Sequence, residues 1–363
     1  MARQQGGSSL SPKPALPLDA SELPALFADF SGRRHVILAV SGGADSTAMM
    51  VLAARWHRQG GTVPLSVVTI NHGLRAESAQ ECARVAAQAT ALGLPCTILA
   101  WTGPKPTSRL QEKARNARYQ LLADAARETG ADTIATAHTL DDQAETVLMR
   151  LAHGSAVDGL GAMRPAKQRG ALLHLRPLLG LGKARLIATL GQAGFDWIED
   201  PSNYNLRFER TRIRGLLAAV APSGLQAERL ALLAKRAQRA TQALEHIAGA
   251  TFAAAMRPDG DGVWLDAAVL AQAPAEIRLR VLGRAIDLVR RHDIGDYAVR
   301  LERLEALGVT IDAALQGGRK KRRKKPWRKS LGRTLVSLDE AGNLSVHPEP
   351  PRFRGRSSPA PKM

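Results

Sequence analysis

Short apolar runs alternate with longer amphipathic runs between residues 35 and 154, and this alternation restricts the fold more than any other feature. The apolar runs read HVILAVS, LSVVTINHG, PCTILAW and DTIATAH. Each is followed by a helical pattern, such as DSTAMMVLAARWHRQG after the first and DDQAETVLMRLAHG after the fourth. The pattern predicts an α/β fold: a parallel sheet with helices on both faces, followed by a helical region and a short basic C-terminal tail.

Polar motifs stand at the ends of three of the predicted strands. They are SGGADS (Ser41–Ser46), NHGLR (Asn71–Arg75) and TAHTLDD (Thr136–Asp142). In open parallel sheets, ligands bind beyond the carboxyl ends of the strands, and those ends meet at one edge. We therefore expect the three motifs to form one site.

The SGGADS motif has the chemistry of an anion site. Gly42 and Gly43 let backbone amides approach an anion closely, and the start of the following helix adds partial positive charge. Asp45 can hold a Mg²⁺ ion that bridges phosphates. The alternative is a structural turn in which Asp45 caps the helix. The candidate phosphate-binding residues are Ser41, Gly42, Gly43, Ala44, Asp45 and Ser46.

This loop contains no lysine, so it is not a Walker A motif. The later run GLGKAR (Gly180–Arg185) lacks the Ser or Thr that such a motif needs. A loop that binds phosphate through amides and hydroxyls, without a lysine on the terminal phosphate, suits retention of pyrophosphate as a unit.

The segment HTLDDQAET supplies acidic candidates. Asp142 and Glu145 are three residues apart on a predicted helix and share a face, and His138 stands at the preceding strand end. Adjacent carboxylates can receive a cationic amine or a metal, whereas acids in a first helical turn can also serve only the helix dipole. The position at a strand end favours the site.

Four arginines are candidates for contacts with phosphate or RNA: Arg115, Arg118, Arg210 and Arg214. The planar guanidinium can bind two oxygens at once, which suits a phosphoryl transition state and an RNA backbone. Solvated helix arginines are the simpler explanation for any single one.

Taken in order, these motifs resemble a known family. SGGADS resembles the PP-loop, SGGxDS, of the N-type ATP pyrophosphatases. The remaining segments resemble landmarks of the tRNA(Ile)-lysidine synthetases: NHGLR, ARNARY, TAHTLDDQAETVLMRLAHGSAVDGLGAM, RPLL and WIEDPSN…RTRIR. The resemblance covers roughly Val36 to Leu217. Thr139, His153, Ala156 and Thr211 depart from the usual His, Arg, Gly and Asn.

The resemblance implies a Rossmann-like PP-loop domain and a defined reaction. O2 of the wobble cytidine in isoleucine tRNA with a CAU anticodon attacks the α-phosphate of ATP, and pyrophosphate leaves. The ε-amine of free L-lysine then displaces AMP at C2. ATP and Mg²⁺, the latter on Asp45, are the expected cofactors. The candidate catalytic residues are Asp45, Arg115, Arg118, His138, Asp142, Glu145 and Arg210, of which Asp142 and Glu145 would hold lysine and His138 would lie by the ATP.

The charge balance favours a polyanionic partner. Formal net charge is +18, and nine basic residues between Arg319 and Lys329 supply half of it. Such a run is usually a solvated, flexible segment, but beside an RNA substrate it is a plausible electrostatic arm, and Trp327 could stack on a base.

Three other functions remain open at this point. A tRNA 2-thiolation enzyme is disfavoured because the chain has no CxxC pair. A synthetase that amidates a small nucleotide is disfavoured by the positive charge and by the lack of a glutaminase-like cysteine site. A non-catalytic RNA-binding protein would not need the intact Ser–Gly–Gly–Asp–Ser set.

Composition adds the setting and the domain limits. Two cysteines, Cys82 and Cys96, cannot form a disulfide framework, and no apolar stretch reaches the roughly 18 residues of a membrane span, so we expect a cytoplasmic protein without membrane contact. The oligomeric state is not indicated. The predicted parts are a disordered segment over 1–24, a PP-loop domain over 25–222, a helical tRNA-binding domain over 223–316 and a basic tail over 317–363, with a possible strand pair in TLVSLDEAGNLSVH.

Overall fold

The computed structural model describes residues 15–73, 76–102, 110–199, 205, 207–290, 299–316, 326–340 and 343–350. The chain forms two compact units that divide between Gln238 and Arg239. The division lies further along the chain than the boundary at residue 222 that the sequence suggested.

Within its described residues, unit 1 contains six strands and eight complete α-helices. The strands are β1 (Val36–Ala39), β2 (Leu65–Asn71), β3 (Cys96–Ala100), β4 (Thr133–Thr136), β5 (Ala166–Arg169) and β6 (Leu172–Leu175). The helices are α1 (Leu23–Leu26), α2 (Ala44–Arg58), α3 (Ser78–Ala91), α4 (Leu110–Thr129), α5 (Leu140–Ala152), α6 (Val157–Leu160), α7 (Lys183–Ala193) and α8 (Glu209–Val220). Helix α9 (Ala227–Ala255) begins in unit 1 and ends in unit 2.

The strands of unit 1 form one sheet in the order β3-β2-β1-β4-β6-β5. β1 pairs in parallel with β2 and β4, and β3 and β6 extend the parallel set on either side. Only β5 is antiparallel, as the edge partner of β6. The four predicted strands are confirmed, whereas the β5–β6 hairpin was not predicted because β5 is fully exposed and carries no apolar alternation.

Helices cover both faces of this sheet, as predicted. Val36 and Leu38 of β1 enter one core with residues of α2 and α7. Ile37, which points the opposite way, packs with Leu122 of α4 in a second core. Side chains alternate along a strand, so β1 is buried on both faces and the loop after it is held in a fixed place.

The segment before the sheet corrects the prediction of disorder over residues 1–24. From residue 15 onward the chain is folded against the sheet domain: Leu18 and Leu23 are buried, and the Leu18 amide donates a 2.9 Å hydrogen bond to Thr189 Oγ1. Arg185 Nη2 donates to Glu22 Oε1 at 2.8 Å. Apolar residues spaced among the prolines were overlooked as anchors. Residues 1–14 lie outside the described part.

Unit 2 combines helices with a second sheet. Its helices after α9 are α10 (Ala267–Gln272), α11 (Ala275–Val289) and α12 (Leu301–Gln316). Its strands are β7 (Met256–Asp259), β8 (Gly262–Leu265), β9 (Trp327–Leu331), β10 (Thr334–Leu338) and β11 (Leu344–Pro348), in the order β7-β8-β11-β10-β9.

Three expectations about this region are settled by the second sheet. The strand pair predicted in TLVSLDEAGNLSVH is confirmed as antiparallel β10 and β11. In the region predicted as a helical domain (223–316), the segment RPDGDGVW forms a hairpin of β7 and β8 and not a helix. Trp327 packs against the core of unit 2 as a partly buried residue of β9, which argues against a free stacking platform. Residues 319–325 of the basic run lie outside the described part.

Among the described residues, no single helix is long and apolar enough to cross a membrane, although the pair Glu209–Ser223 and Ala227–Ala255, bent by 100°, reaches that length and hydropathy when taken together.

Candidate active site

The turn between β1 and α2 needs glycine at one position for two separate reasons. Gly42 has φ +86°, and a Cβ atom there would stand 2.5 Å from Ile198 Cδ1. The Ile198 amide also donates a 2.8 Å hydrogen bond to the Gly42 carbonyl. The segment after α7 that contains Ile198 therefore holds the backbone of the loop in place. A side chain at Gly42 would clash with Ile198 and break this contact.

Hydroxyl groups hold the remainder of the loop. Ser46 Oγ accepts a hydrogen bond from the Ser41 amide at 3.1 Å and donates one to the Gly43 carbonyl at 3.0 Å. Ser41 Oγ lies 3.2 Å from Ser46 Oγ. Gly43 is the N-cap of α2 and offers no side chain to the first amides of the helix. These amides are consequently available to an anion.

Asp45 lies in the first turn of α2 with an unusual environment. Its Oδ1 atom is buried and has no hydrogen-bond partner within the described residues. Burial raises the pKa of this carboxyl to about 6, and the charges of Asp142 and Asp141 push it the same way against Lys183. A buried carboxylate oxygen without a donor is costly unless a cation meets it, so the site fits the predicted Mg²⁺.

Lys183, which the sequence reading left aside in GLGKAR, reaches this loop from the start of α7. Its Nζ lies 3.7 Å from Asp45 Oδ2. The backbone amide of Lys183 donates a 2.7 Å hydrogen bond to Asp141 Oδ2, and the Leu140 amide donates to the Leu181 carbonyl at 2.9 Å. The loop itself lacks lysine, as predicted, but a distant segment supplies one.

The acids at the start of α5 have different partners. Asp142 forms a capping box with Thr139: Asp142 Oδ2 accepts from the Thr139 amide at 2.9 Å, and Thr139 Oγ1 accepts from the Asp142 amide at 3.3 Å. This accounts for Thr139, which departs from the family pattern, because threonine is a good N-cap. Asp141 is committed to Lys183.

Glu145 is buried beneath α8. Its Oε1 accepts a 2.8 Å hydrogen bond from Arg214 Nε, and Arg210 Nε lies 3.7 Å from Oε2. Only 3% of the Glu145 side chain is exposed, and Oε2 has no hydrogen-bond partner in the part of the chain that the structure describes. Burial raises the pKa of Glu145, with Arg214 opposing the shift. Two of the four candidate arginines thus face a candidate acid.

The other two arginines belong to α4 and lie on the His138 side. Arg118 Nη2 is 3.4 Å from His72 Nε2, and the Arg115 guanidinium lies 5.2 Å from the centre of the Tyr119 ring. The pKa of His138 is lowered to about 3, mainly because the ring is buried. The positive charges of four arginines act in the same direction: Arg176, Arg115, Arg210 and Arg118.

The arrangement brings together most of the predicted site. The charges around Asp45 come from α5, α7 and α8, and those around His138 come from α4, from Arg176 just after β6, and from α8, so the strand ends meet as the topology requires. Gln143, in the same motif, instead clamps Met163 through two hydrogen bonds of 2.8 and 2.9 Å. Leu74 and Arg75 of NHGLR, and residues 200–203 of WIEDPSN, lie outside the described residues.

The sequence did not indicate Lys183, His174 or Arg176 as members of the site, and Thr136 and Asp141 entered the prediction only as parts of the TAHTLDD motif. RPLL, which begins at Arg176, stands out only through its resemblance to the family, and Asp45 and Thr136, the partners of Lys183 and of His174 Nε2, are far away along the chain. The signal that could have found them is position, because β6 is a strand whose carboxyl end joins the same edge.

Comparison with known proteins gives the family. Residues 17–220 match the PP-loop domain family. A protein of Methylobacterium nodulans named tRNA(Ile)-lysidine synthase is 50% identical over 88% of this chain and 92% of its own length. A second with that name, from a Bradyrhizobium species, is 44% identical over 93% of this chain and 97% of its own length.

A solved structure shares the fold. The U34-tRNA thiolase NcsA of Methanococcus maripaludis, solved with its 4Fe–4S cluster, superposes with a TM-score of 0.52 at 16% identity over 60% of this chain and 77% of that one. At this identity the likeness concerns the fold alone. The family match over more than half of the chain, and the relatives' identity along nearly their full length, agree with the resemblance seen in the motifs. This chain belongs to the tRNA(Ile)-lysidine synthase family of PP-loop proteins.

Proposed function

We propose that this chain joins lysine to C2 of the wobble cytidine of isoleucine tRNA with a CAU anticodon, using ATP and releasing pyrophosphate and AMP. The observation that carries the proposal is the pairing of a phosphate-type loop with a buried acid on a neighbouring helix. Asp45 belongs to the loop and lies beside Lys183, and the buried acid is Glu145. The net charge of +18 supports a polyanionic substrate.

In the first step the cytidine O2 forms a bond to the α-phosphorus of ATP, and the bond to pyrophosphate breaks. The amides at the start of α2 and the Lys183 ammonium would bind the departing pyrophosphate, because its charge grows as the bond breaks. Mg²⁺, when bound, would neutralise charge on the phosphates, and Asp45 would hold it. Arg115 and Arg118 would meet the remaining phosphate or the RNA backbone.

In the second step the lysine amine forms a bond to C2, and the bond from C2 to the adenylylated oxygen breaks to release AMP. Glu145 and Asp142 would receive the ammonium group of lysine before the attack. Glu145 Oε2, which lacks a hydrogen bond within the described part of the chain, is the open acceptor, and its raised pKa suits a group that takes up a proton. The amine must lose a proton to attack, since the ordinary pKa of lysine is about 10.4.

The test is direct. We expect purified protein with ATP, Mg²⁺ and labelled lysine to place label on isoleucine tRNA that carries CAU. The same tRNA with uridine at the wobble position is the matched control and should stay unlabelled. Salt-sensitive tRNA binding without incorporation would instead support a non-catalytic RNA-binding protein.

Thiolation, the reaction in the name of the structural neighbour, is a weaker candidate for this chain. Iron–sulfur clusters of the 4Fe–4S type are held by several cysteine thiolates. The chain has two cysteines, and Cys82 is buried, with Thr69 Oγ1 3.7 Å from its sulfur. This composition is too poor in thiolates for such a cluster.

Lys183→Met is expected to lower kcat/KM for ATP about tenfold to a hundredfold while leaving the KM for lysine within twofold. The loss of one charge-assisted phosphate contact, worth about 1.5–3 kcal/mol, gives that range. Pyrophosphate release measured against ATP concentration provides the constants. Lys183→Arg keeps the charge and should recover most of the loss. Equal losses in the Met and Arg variants would contradict a charge role.

A further inference from the structure

A chain of four side chains leads from the buried interior to His138. Arg176 Nη2 lies 3.2 Å from His174 Nδ1, His174 Nε2 lies 2.8 Å from Thr136 Oγ1, and Thr136 Oγ1 lies 2.8 Å from His138 Nδ1. All three inner residues are buried: the exposed fraction is 1% for His174, 5% for Arg176 and 9% for Thr136. The chain runs across the carboxyl ends of β4 and β6.

The direction of the chain is fixed at its inner end. A guanidinium can only donate hydrogen bonds, so His174 Nδ1 must accept from Arg176. His174 then carries its proton on Nε2 and donates to Thr136 Oγ1. Burial, reinforced by the Arg176 charge, lowers the pKa of His174 to about 3, which keeps the ring neutral.

The same logic carries through Thr136 to His138. The buried Thr136 hydroxyl hydrogen needs an acceptor, since an unsatisfied buried donor is costly. His138 Nδ1 is the acceptor within reach among the described residues. His138 therefore has its proton on Nε2, which is not sealed inside the protein and finds no protein partner in the described ranges.

The surroundings of His138 favour an anion at that nitrogen. Cationic groups face the ring from three elements: Arg115 and Arg118 from α4, Arg176 from the end of β6, and Arg210 from α8. His174 faces it as well, with ring centres 6.3 Å apart. Four guanidinium groups oppose a positive charge on His138 and attract an anionic oxygen.

We propose that Arg176, His174 and Thr136 are positioning residues that lock His138 as a neutral imidazole, so that His138 donates its Nε2–H to an anionic oxygen of the bound nucleotide and is not the base that removes the lysine proton. The inference rests on the proposed function for the identity of the nucleotide. No proton is transferred: the imidazole donates a hydrogen bond before and during the reaction.

Imidazole nitrogen NMR of the full chain labelled with ¹⁵N-histidine tests the lock directly, without ATP or tRNA. We expect His138, assigned by loss of its signals in His138→Asn, to show a protonated Nε2 and an unprotonated Nδ1 from pH 8 to pH 5. A His138 that carries its proton on Nδ1, or that titrates between pH 5 and 8, overturns the proposal.

Thr136→Val removes the hydroxyl at nearly constant volume and should release the lock. We expect two His138 tautomers in the NMR spectrum and a threefold to tenfold fall in kcat, with Thr136→Ser restoring both. A Val variant that keeps the single His138 tautomer overturns the positioning role, whether or not it loses activity. If the Val variant does not fold, His174→Gln and His174→Leu replace it: glutamine can accept from Arg176 and donate to Thr136, so only the leucine variant should lose the single tautomer.

The two proposals fail separately. Wild-type protein that adds no lysine to tRNA but shows the fixed His138 tautomer refutes the proposed reaction and leaves the lock. Protein that adds lysine while His138 titrates near neutral pH refutes the lock alone.

Discussion

Replacing Asp45 by asparagine is expected to lower pyrophosphate release by roughly a thousandfold while making the unliganded protein more stable. The kinetic loss follows from the cation: asparagine keeps the shape but not the charge that would hold Mg²⁺ against the phosphates. Metal stabilisation of transition-state charge is worth several kcal/mol, and about 4 kcal/mol corresponds to a thousandfold. Stopped-flow or steady-state measurement of pyrophosphate gives the rate.

The stability gain follows from the pKa of Asp45. Burial raises that pKa to about 6 from the ordinary value of 3.8. The folded protein therefore holds the proton more tightly than the unfolded chain, so the free energy of unfolding falls as pH rises from about 4 to about 6 and stays lower above. This rise in the pKa of Asp45 corresponds to roughly 3 kcal/mol in the free energy of unfolding at most, and to less because 27% of the side chain is exposed.

Denaturant unfolding at several pH values checks this sign. At pH 8 the Asp45→Asn protein should unfold at higher denaturant than wild type, and the two curves should converge near pH 4. Asp29→Asn, at an exposed position of the same unit, is the control and should change stability by less than about 0.5 kcal/mol. An Asp45→Asn protein that retains a tenth of the activity, or that is less stable at pH 8, contradicts the assignment.

Local patterns predicted the parts of the fold in which burial and periodicity agree. The strands β1, β2 and β4 are largely buried along their length, so their apolar runs stand out in the sequence. Helix α7 ends just before Gly194, whose φ of +67° is typical of a glycine that closes a helix. The β5–β6 hairpin and the β7–β8 hairpin escaped prediction because β5 and most of β7 are exposed and polar. Their pairing partners, not their own residues, make them strands.

The site was predictable up to the point where tertiary contacts assign partners. The motif at Ser41 and the acids of α5 stand out in the sequence because they directly follow apolar strands, at the edge of the sheet where ligands bind. Nothing in the local sequence indicates that Lys183 meets Asp45, or that Arg214 covers Glu145, since these pairs join distant segments. Long-range contacts of this kind arise from the topology of the sheet and not from any periodicity.

The three acids at the start of α5 have different partners and therefore different roles. Asp141 fixes the first residue of α7, Asp142 closes the capping box, and Glu145 lies under the arginines of α8. The first two hold Lys183 and the helix start in place. Glu145 alone combines deep burial with an oxygen that has no hydrogen bond in the described residues, so the lysine-transfer step should depend on it most strongly.

Replacing Glu145 by glutamine is expected to slow lysine transfer about a hundredfold while pyrophosphate release changes less than tenfold. Glutamine cannot balance the charge of the substrate ammonium, and a lost charged hydrogen bond of nearly 3 kcal/mol gives that factor. The two half-reactions separate in one experiment: pyrophosphate is followed without lysine, and labelled lysine on tRNA is followed after its addition. Adenylated tRNA should therefore accumulate.

Glu209→Gln is the matched control, because it makes the same change in the same helix pair. Glu209 of α8 pairs with His153 at the end of α5 at 2.8 Å, but 38% of its side chain is exposed and it lies outside the proposed lysine site. Both glutamine variants replace a carboxylate that joins α5 to α8 through a side-chain contact, so a purely structural effect would appear in both. Because Arg210 and Arg214 are 44% and 49% exposed and can turn to water, the structural cost at Glu145 stays well below the 3–5 kcal/mol of a fully buried pair. Equal losses of both half-reactions in Glu145→Gln, or a matching loss in Glu209→Gln, would mean that Glu145 braces α8 and does not receive the amine.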